Sequence, residues 1–459
     1  MPKSRPIPAR VIMKETHWRC NIKFFYLVSD NMRTSYILVS LILSVVLAEK
    51  YAMVFGTKDG WGNYSITSDP CRVYDDLIKA GIKPENIIYF TYTTDLTSKI
   101  NPWPGKIFTD PADNTDGDWA QYGCFDHVDY TDKEINAKVF LGILSGDKDL
   151  VAKETGKEDP KVLAAGPDDT VFTYFIDHGN NDIICVGNDL VTSKQLMEAL
   201  KTAHEKKLYG KWVWFMEACH SGSMFEDQLP EDMNIYVMTS SDAHHNAYMS
   251  NCPPNDKVAG KSIGACLSGL WDNSYLDYLE QNPDCTIGEI FDAVKADVAK
   301  TSSQNVCEWG DKTFRDFKVS EFFGELPSRY FRKESKPAAS VVSLDEVPKH
   351  VAMWRAIRAD KSEYAEALKA YQEEAFAAAK KEVEIMRLGS ALMNEKAADK
   401  AFKTAAETYS ADCVRDLTIS LVKKCGHTLP LSDAANNMLR NICLPGLSVP
   451  NVDFNEICM

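Results

Sequence analysis

Two runs, TVFTYFID at 170–177 and KWVWFM at 211–216, constrain this chain more than any other feature. Both are of strand length and rich in β-branched and aromatic residues, and 170–177 holds no charge before its last position. A strand without a polar face has to be covered on both sides, as in a mostly parallel sheet flanked by helices. Similar runs occur at 50–57, 86–91 and 234–239, and helical patterns fall between them at 71–80, 132–145 and 192–207. The opening unit is therefore βαβ, and the expected fold class is α/β.

In such a sheet, ligands and reacting side chains collect at the carboxyl ends of the strands. The run at 170–177 delivers His178 and Gly179, and the run at 211–216 delivers Glu217 and Cys219 in a stretch of small residues. The strand at 50–57 runs into a loop with Gly60, Gly62 and Asn63. A cysteine nucleophile needs thiolate character, which a histidine base supplies, and backbone amides at a strand-to-loop transition can hold an oxyanion. Asn63 is placed to orient the imidazole or to bind substrate.

Between these runs, 95–130 reads as a long surface excursion anchored by Trp103 and Trp119, and 146–169 as a charged connector. From 347 to about 409 the composition shifts to Ala, Lys and Glu with amphipathic spacing, which reads as two or three helices with a solvated face. The stretch 332–348 has the composition of an exposed linker. The expected domains are an upstream extension without structure at 1–31, a signal peptide at 32–48, an α/β domain at 49–310, a linker at 311–348 and a helical module at 349–459.

The signal assignment rests on 34–48, TSYILVSLILSVVLA, a run shorter than the ~20 residues of a membrane span, with Met32 and Arg33 before it and Val46 and Ala48 at a cleavage site. Secretion permits disulfides among the thirteen cysteines. Cys413, Cys425, Cys443 and Cys458 are spaced too widely for a zinc ribbon and suit two disulfides in a small helical module, with three pairings open. A formal net charge of −15 argues against a nucleic-acid partner, and nine scattered histidines form no short-range metal pattern, so neither metal nor cofactor is expected.

The blocks FIDHG at 175–179, EACHSGSM at 217–224 and GWGNYSITSD at 60–69, with the secretory signal and the four-cysteine tail, resemble the legumain family of asparaginyl endopeptidases or vacuolar processing enzymes. The resemblance implies a caspase-like domain with a mostly parallel sheet, followed by an all-helical prodomain that inhibits it. It implies an acid-activated cysteine endopeptidase of the lysosome, vacuole or extracellular space, acting on peptides and proteins after Asn or Asp and bound by cystatin-like inhibitors. Cys219 then matches the nucleophile, His178 the base, Asn63 its holder and Gly179 an oxyanion amide. Asp177 matches a position linked to ligase behaviour, and Tyr248 a tyrosine of the substrate groove.

The specificity pocket departs from that pattern. Glu217 is retained, but Ser65 stands where the family has arginine, Ile66 where it has histidine, and Ala265 where it has aspartate. A carboxamide that loses its polar partners loses discrimination, so a cleavage preference altered away from Asn is expected. WGDKT at 309–313 resembles the family's activation site and makes Asp311 the expected cut. NYS at 63–65 is formally a glycosylation sequon, expected to be unmodified because Asn63 lies in the crevice. The alternatives are a peptide ligase or transamidase of the same fold, and a non-catalytic relative that binds peptides in its groove.

Overall fold

The computed structural model describes residues 48–111, 118–326, 340–445 and 452–459, so the upstream extension and nearly all of the expected signal peptide lie outside it. Six strands form the central sheet: β1 (Lys50–Gly56), β2 (Ile87–Thr91), β3 (Thr170–Ile176), β7 (Lys211–Glu217), β8 (Ile235–Thr239) and β13 (Cys307–Gly310). Their order is β13-β8-β7-β3-β1-β2, and every pairing is parallel except that of the edge strand β13 with β8. The chain builds outward from β1 to β2 on one side and from β3 through β7 to β8 on the other. That reversal leaves a crevice above the carboxyl ends of β1 and β3.

Side chains alternate along each strand into two cores. Ala52, Val54, Phe172, Tyr174 and Ile176 face α1 (Ser65–Lys79), α5 (Leu270–Gln281) and α6 (Ile287–Val298), whereas Met53, Phe55, Val171 and Phe175 face α2 (Ala137–Leu144) and α4 (Ser193–Glu205). The three-layer α/β arrangement expected from the uncharged strands is thus present. Three short antiparallel strands, β4 (Gly179–Asn180), β5 (Ile183–Val186) and β6 (Asp189–Thr192), follow β3 and connect it to α4.

Several local expectations are corrected. Helix α1 starts at Ser65, six residues before the expected start, and carries Pro70 inside it. Proline lacks the N–H that would bond the carbonyl four residues earlier, that of Ile66. That carbonyl instead lies against β1, where a Cβ on Gly56 would come within 2.4 Å of it. The helix expected at 132–145 breaks, because Asn136 turns its side chain onto the amides of Lys138 and Val139 and caps a new start. The connector at 146–169 contains a further helix, α3 (Lys148–Thr155), capped by Asp147. The excursion at 95–130 is pinned by a Cys71–Cys124 disulfide, and its Ile107, Phe108 and Trp119 are buried.

The expected boundary at 310 falls inside the α/β core. Asp311 donates its amide to the Ile235 carbonyl, and the chain then buries Phe314, Val319, Phe322 and Phe323 beneath the sheet, the last two in the short helix α7 (Ser320–Phe323). Asp311 itself caps the turn at Lys312–Asp316, so it stands at the end of an edge strand and not in an exposed linker. Part of the expected linker, 327–339, lies outside the described residues.

Smaller pairings complete this half: a hairpin of β10 (Lys257–Val258) with β11 (Lys261–Ser262), and a three-stranded sheet in which β9 (Tyr248–Ser250) lies between β12 (Ser268–Gly269) and β14 (Val342–Ser343). Beyond β14 the chain is helical: α8 (Val347–Arg358), α9 (Tyr364–Leu392), α10 (Glu395–Lys403), α11 (Ala411–Ser420), α12 (Asp433–Ile442) and α13 (Phe454–Ile457). The four tail cysteines pair as Cys413–Cys443 and Cys425–Cys458. Their core includes Leu388, Val414, Leu417 and Leu439, and also takes in Ile183 and Cys185 of β5, so the helical region packs on the α/β domain. None of the described helices is long and apolar enough to cross a membrane.

One buried cation ties α1 to α5. The fully buried Arg72 guanidinium bonds Asp277 at 2.8 Å, Glu280 at 2.7 Å and Asn273 at 3.2 Å. Removing one partner of such a network strands the others without compensation. Arg72→Ala is expected to lower stability by about 3–5 kcal/mol, read as a fall in the denaturant midpoint; an unchanged midpoint would refute this role.

Candidate active site

Strand register places His178 and Cys219 at neighbouring strand ends. Ile176 of β3 is level with Gly56 of β1 and with Glu217 of β7. His178 lies two residues past the first of these and Cys219 two past the last, on neighbouring strands about 4.8 Å apart. The chains approach closely here: a Cβ on Gly179 would come within 2.5 Å of the Cys219 carbonyl oxygen. The loop after β1 supplies the third member from the other side of β3.

Asn63 ends the short turn Trp61–Asn63, and its Oδ1 stands 3.0 Å from His178 Nε2. Its Nδ2 donates to the Asp59 carbonyl at 2.8 Å, which fixes the amide so that oxygen faces the ring. His178 Nε2 must therefore carry the proton, and Nδ1, buried and without a hydrogen-bond partner, keeps the free lone pair. Asp177, fully buried, accepts from the Thr57 hydroxyl and from the His178 amide, and burial pushes its carboxyl up to about 7.

The closed molecule holds the pair in its uncharged form. Burial pushes the Cys219 thiol well above its ordinary range, and the Asp345 and Glu217 carboxylates add to this, against one hydrogen bond from the Ala247 amide at 3.2 Å. Burial, with Lys58 and with Lys381 of α9, lowers His178 to about 3. The cleft beside His178 has a volume of about 390 Å³ and is lined by Asn63, His178 and Leu190 on one side and by Glu374, His427 and Leu429 of the helical region on the other.

The helical region also grips the residue after the cysteine. His220 adopts a left-handed conformation with φ 56° and is fully buried. Its Nδ1 lies 3.0 Å from the Ala243 carbonyl, which can only accept, so Nε2 is left to accept from Asn436 Nδ2 at 3.0 Å. Arg440 reaches across to the same Ala243 carbonyl at 2.9 Å and to Asn181 at 3.2 Å. Burial and the Arg440 charge lower His220 to about 3.

The remaining predicted residues spread around this centre. Glu217 is fully buried at the end of β7, where burial and the neighbouring Asp272 push its carboxyl well above the usual carboxylate range. Ser65 is buried at the start of α1, its hydroxyl 3.0 Å from Met249 Sδ. Ala265 packs with Trp61 and Ile263 beside a Cys252–Cys266 disulfide. Tyr248 starts β9, with its hydroxyl 3.0 Å from Ser303. Sequence reasoning missed Ala247, which acts through its backbone, and the Asn436–Arg440 grip on His220, whose partners lie more than 190 residues apart.

Thiol, imidazole with one free lone pair and orienting carboxamide, at the carboxyl edge of a parallel sheet, make up a site of the cysteine–histidine hydrolase class. The peptidase C13 family model matches residues 50–325. The chain is 32% identical over 306 residues to a hemoglobinase of Schistosoma japonicum, covering 66% of this chain and 67% of that one. It is 33% identical over 286 residues to the vacuolar-processing enzyme delta-isozyme of Arabidopsis thaliana, covering 61% and 59%. It spans about two thirds of the schistosome relatives' length and less of the plant enzymes'. Caspase-1 of Spodoptera frugiperda superposes with a TM-score of only 0.34 at 9% identity, over 61% of this chain and 90% of that one, and the fold assignment rests on the strand order itself. The chain belongs to the peptidase C13 family, the legumain family of cysteine peptidases.

Proposed function

We propose that this chain is a cysteine endopeptidase made as an acid-released zymogen and directed through the secretory pathway to a lysosomal, vacuolar or extracellular site. The observation that carries the reading is the register-matched pair Cys219 and His178, with Asn63 fixing the imidazole so that Nδ1 is the free base. His178 takes the thiol proton, the sulfur attacks the peptide carbonyl, and the Gly179 amide donates a hydrogen bond to the oxyanion. The C–N bond breaks as the imidazolium returns its proton to the leaving amine. Water, deprotonated by the same nitrogen, then displaces the sulfur and releases the acid. Tyr248, Glu217 and Ser65 border the track for peptide and protein substrates, and cystatin-like inhibitors would enter it in the same way.

The helical region is the inhibitor, because it lies across the cleft and buries the residue next to the nucleophile. The activation cut belongs between 327 and 346, since 311–326 is part of the core. Acid acts on the grip. In the closed state His178 and His220 titrate at about 3 against an ordinary 6.5, so below pH 6.5 the released state binds protons that the closed state refuses. Closure is fully present above pH 6.5 and weakens by up to about tenfold per pH unit per histidine as pH falls toward 3.

Around His220, Arg440 and His244 oppose its protonation while Asp242 favours it. Asp345 and Asp433, raised by burial, act in the opposite sense and soften the transition. Taking the full chain from pH 7 to pH 4 and following peptide hydrolysis is expected to show activity rising on the acid side. His220→Gln, which cannot charge, should need about half to one pH unit more acid. An unmoved threshold would remove His220 from the mechanism. No hydrolysis at any pH, even after proteolysis between 327 and 346, would refute the peptidase reading.

A further inference from the structure

The chain places one of its own segments where a substrate would run. Strand β14 lies antiparallel on β9, with Val342 opposite Met249 and Ser343 opposite Tyr248. Continuing that register, the Leu344 amide donates to the Ala247 carbonyl at 2.9 Å, and the Ala247 amide, in place of returning a bond to β14, donates to Cys219 Sγ at 3.2 Å. Addition of an extended peptide to a sheet edge uses this pattern of main-chain bonds for affinity and pockets under alternate side chains for specificity. Leu344 is the residue whose backbone is held beside the nucleophile, the position just before a cleaved bond.

The surroundings of its side chain are apolar. Leu344, 3% exposed, shares a buried cluster with Cys219, Ala247, Met249, Cys252 and Cys266 of the α/β domain and with Val347 and Val351 of α8, and Val342, two residues earlier on the same face of the strand, packs against it. The Ser65 hydroxyl is turned onto Met249 Sδ, and Ala265 is packed away beside the disulfide that closes the loop. Glu217 lies outside this cluster, next to Asp69 and Asp272 at the end of β7, and burial pushes all three carboxyls above their ordinary range.

We infer that the pocket receiving the residue before the cleaved bond is apolar and selects an aliphatic side chain of the leucine class, the role Leu344 plays in the closed chain. The inference rests on the peptidase reading and specifies its substrate. A carboxamide placed there would lose its water among apolar side chains, with the Ser65 hydroxyl turned onto Met249, whereas an aliphatic chain fills the space.

The test is acid-released enzyme on fluorogenic peptides Val-Ser-Xaa, copying 342–343, with Xaa as Leu, Asn or Asp. The expected kcat/KM for Leu exceeds that for Asn and for Asp by about tenfold or more. Asn or Asp equal to or better than Leu, with Cys219→Ala inert, would overturn the apolar pocket and leave the peptidase standing. No turnover of any of the three, together with no alkylation of Cys219 by iodoacetamide, would overturn both.

Discussion

Cys219→Ala is expected to abolish peptide hydrolysis, with kcat reduced by about 10⁴-fold or more while the fold is kept. The scissile carbon needs a nucleophile within reach of the free Nδ1 lone pair of His178, and the register of β3 against β7 supplies Cys219 alone. The other described thiols stand elsewhere: Cys285 is packed in the core with α5 and α6, Cys307 is on the edge strand β13, and Cys185, although it lines the cleft, is carried on β5. In the closed chain Cys219 Sγ accepts one hydrogen bond, from the buried Ala247 amide, and alanine leaves that donor unpaired at a cost of about 1–3 kcal/mol. The variant should therefore remain a folded, closed precursor with a modestly lowered thermal midpoint that never processes itself. Activity within tenfold of the parent, with an intact fold, would show that another group performs the attack.

Gly179→Ala is expected to cost about 10²-fold in kcat with a much smaller change in KM. The backbone at 179 is not in the left-handed region, so alanine meets no conformational penalty there; the conflict is contact alone. Its Cβ would lie 2.5 Å from the Cys219 carbonyl oxygen and 3.2 Å from Ala218 Cβ, and the nucleophile segment would have to retreat by several tenths of an ångström. The retreat moves sulfur away from the imidazole and shifts the amide that faces the oxyanion, and misplacement on this scale is costly when the reacting atoms must lie within about 3–3.5 Å. Peptide binding along β9 lies on the far side of Ala247 and is spared. Equal losses in kcat and thermal stability, or no loss in kcat, would show that the close approach has no catalytic role.

Those two expectations separate what was legible in the chain from what was not. TVFTYFID and KWVWFMEAC announce strands buried on both faces, and a strand of that kind can only sit inside a parallel α/β sheet. Reacting groups follow such strands by the geometry of the sheet, so Asn63, His178 and Cys219 could be nominated before any contact was known. Local capping was less legible. Asn136 ends one element and starts another because its side chain competes for backbone amides, and the helical periodicity around it conceals the break. The resemblance of WGDKT to an activation site set the expected linker to begin at Asp311, yet Phe314, Phe322 and Phe323 insert under the sheet.

The sequence by itself determined the sheet and nominated Cys219 and His178 at its strand ends, because period and polarity act over neighbouring residues and leave their mark on every strand. Its resemblance to the family places Ser65 and Ala265 where arginine and aspartate are usual. Only the tertiary structure decided which lone pair of His178 is free, how the four tail cysteines pair, that Asn436 and Arg440 reach the turn around His220, and that the Leu344 amide bonds the Ala247 carbonyl. Each of these depends on groups from distant parts of the chain meeting within about 3 Å, and hydrogen bonds of that length are set by packing and not by local pattern.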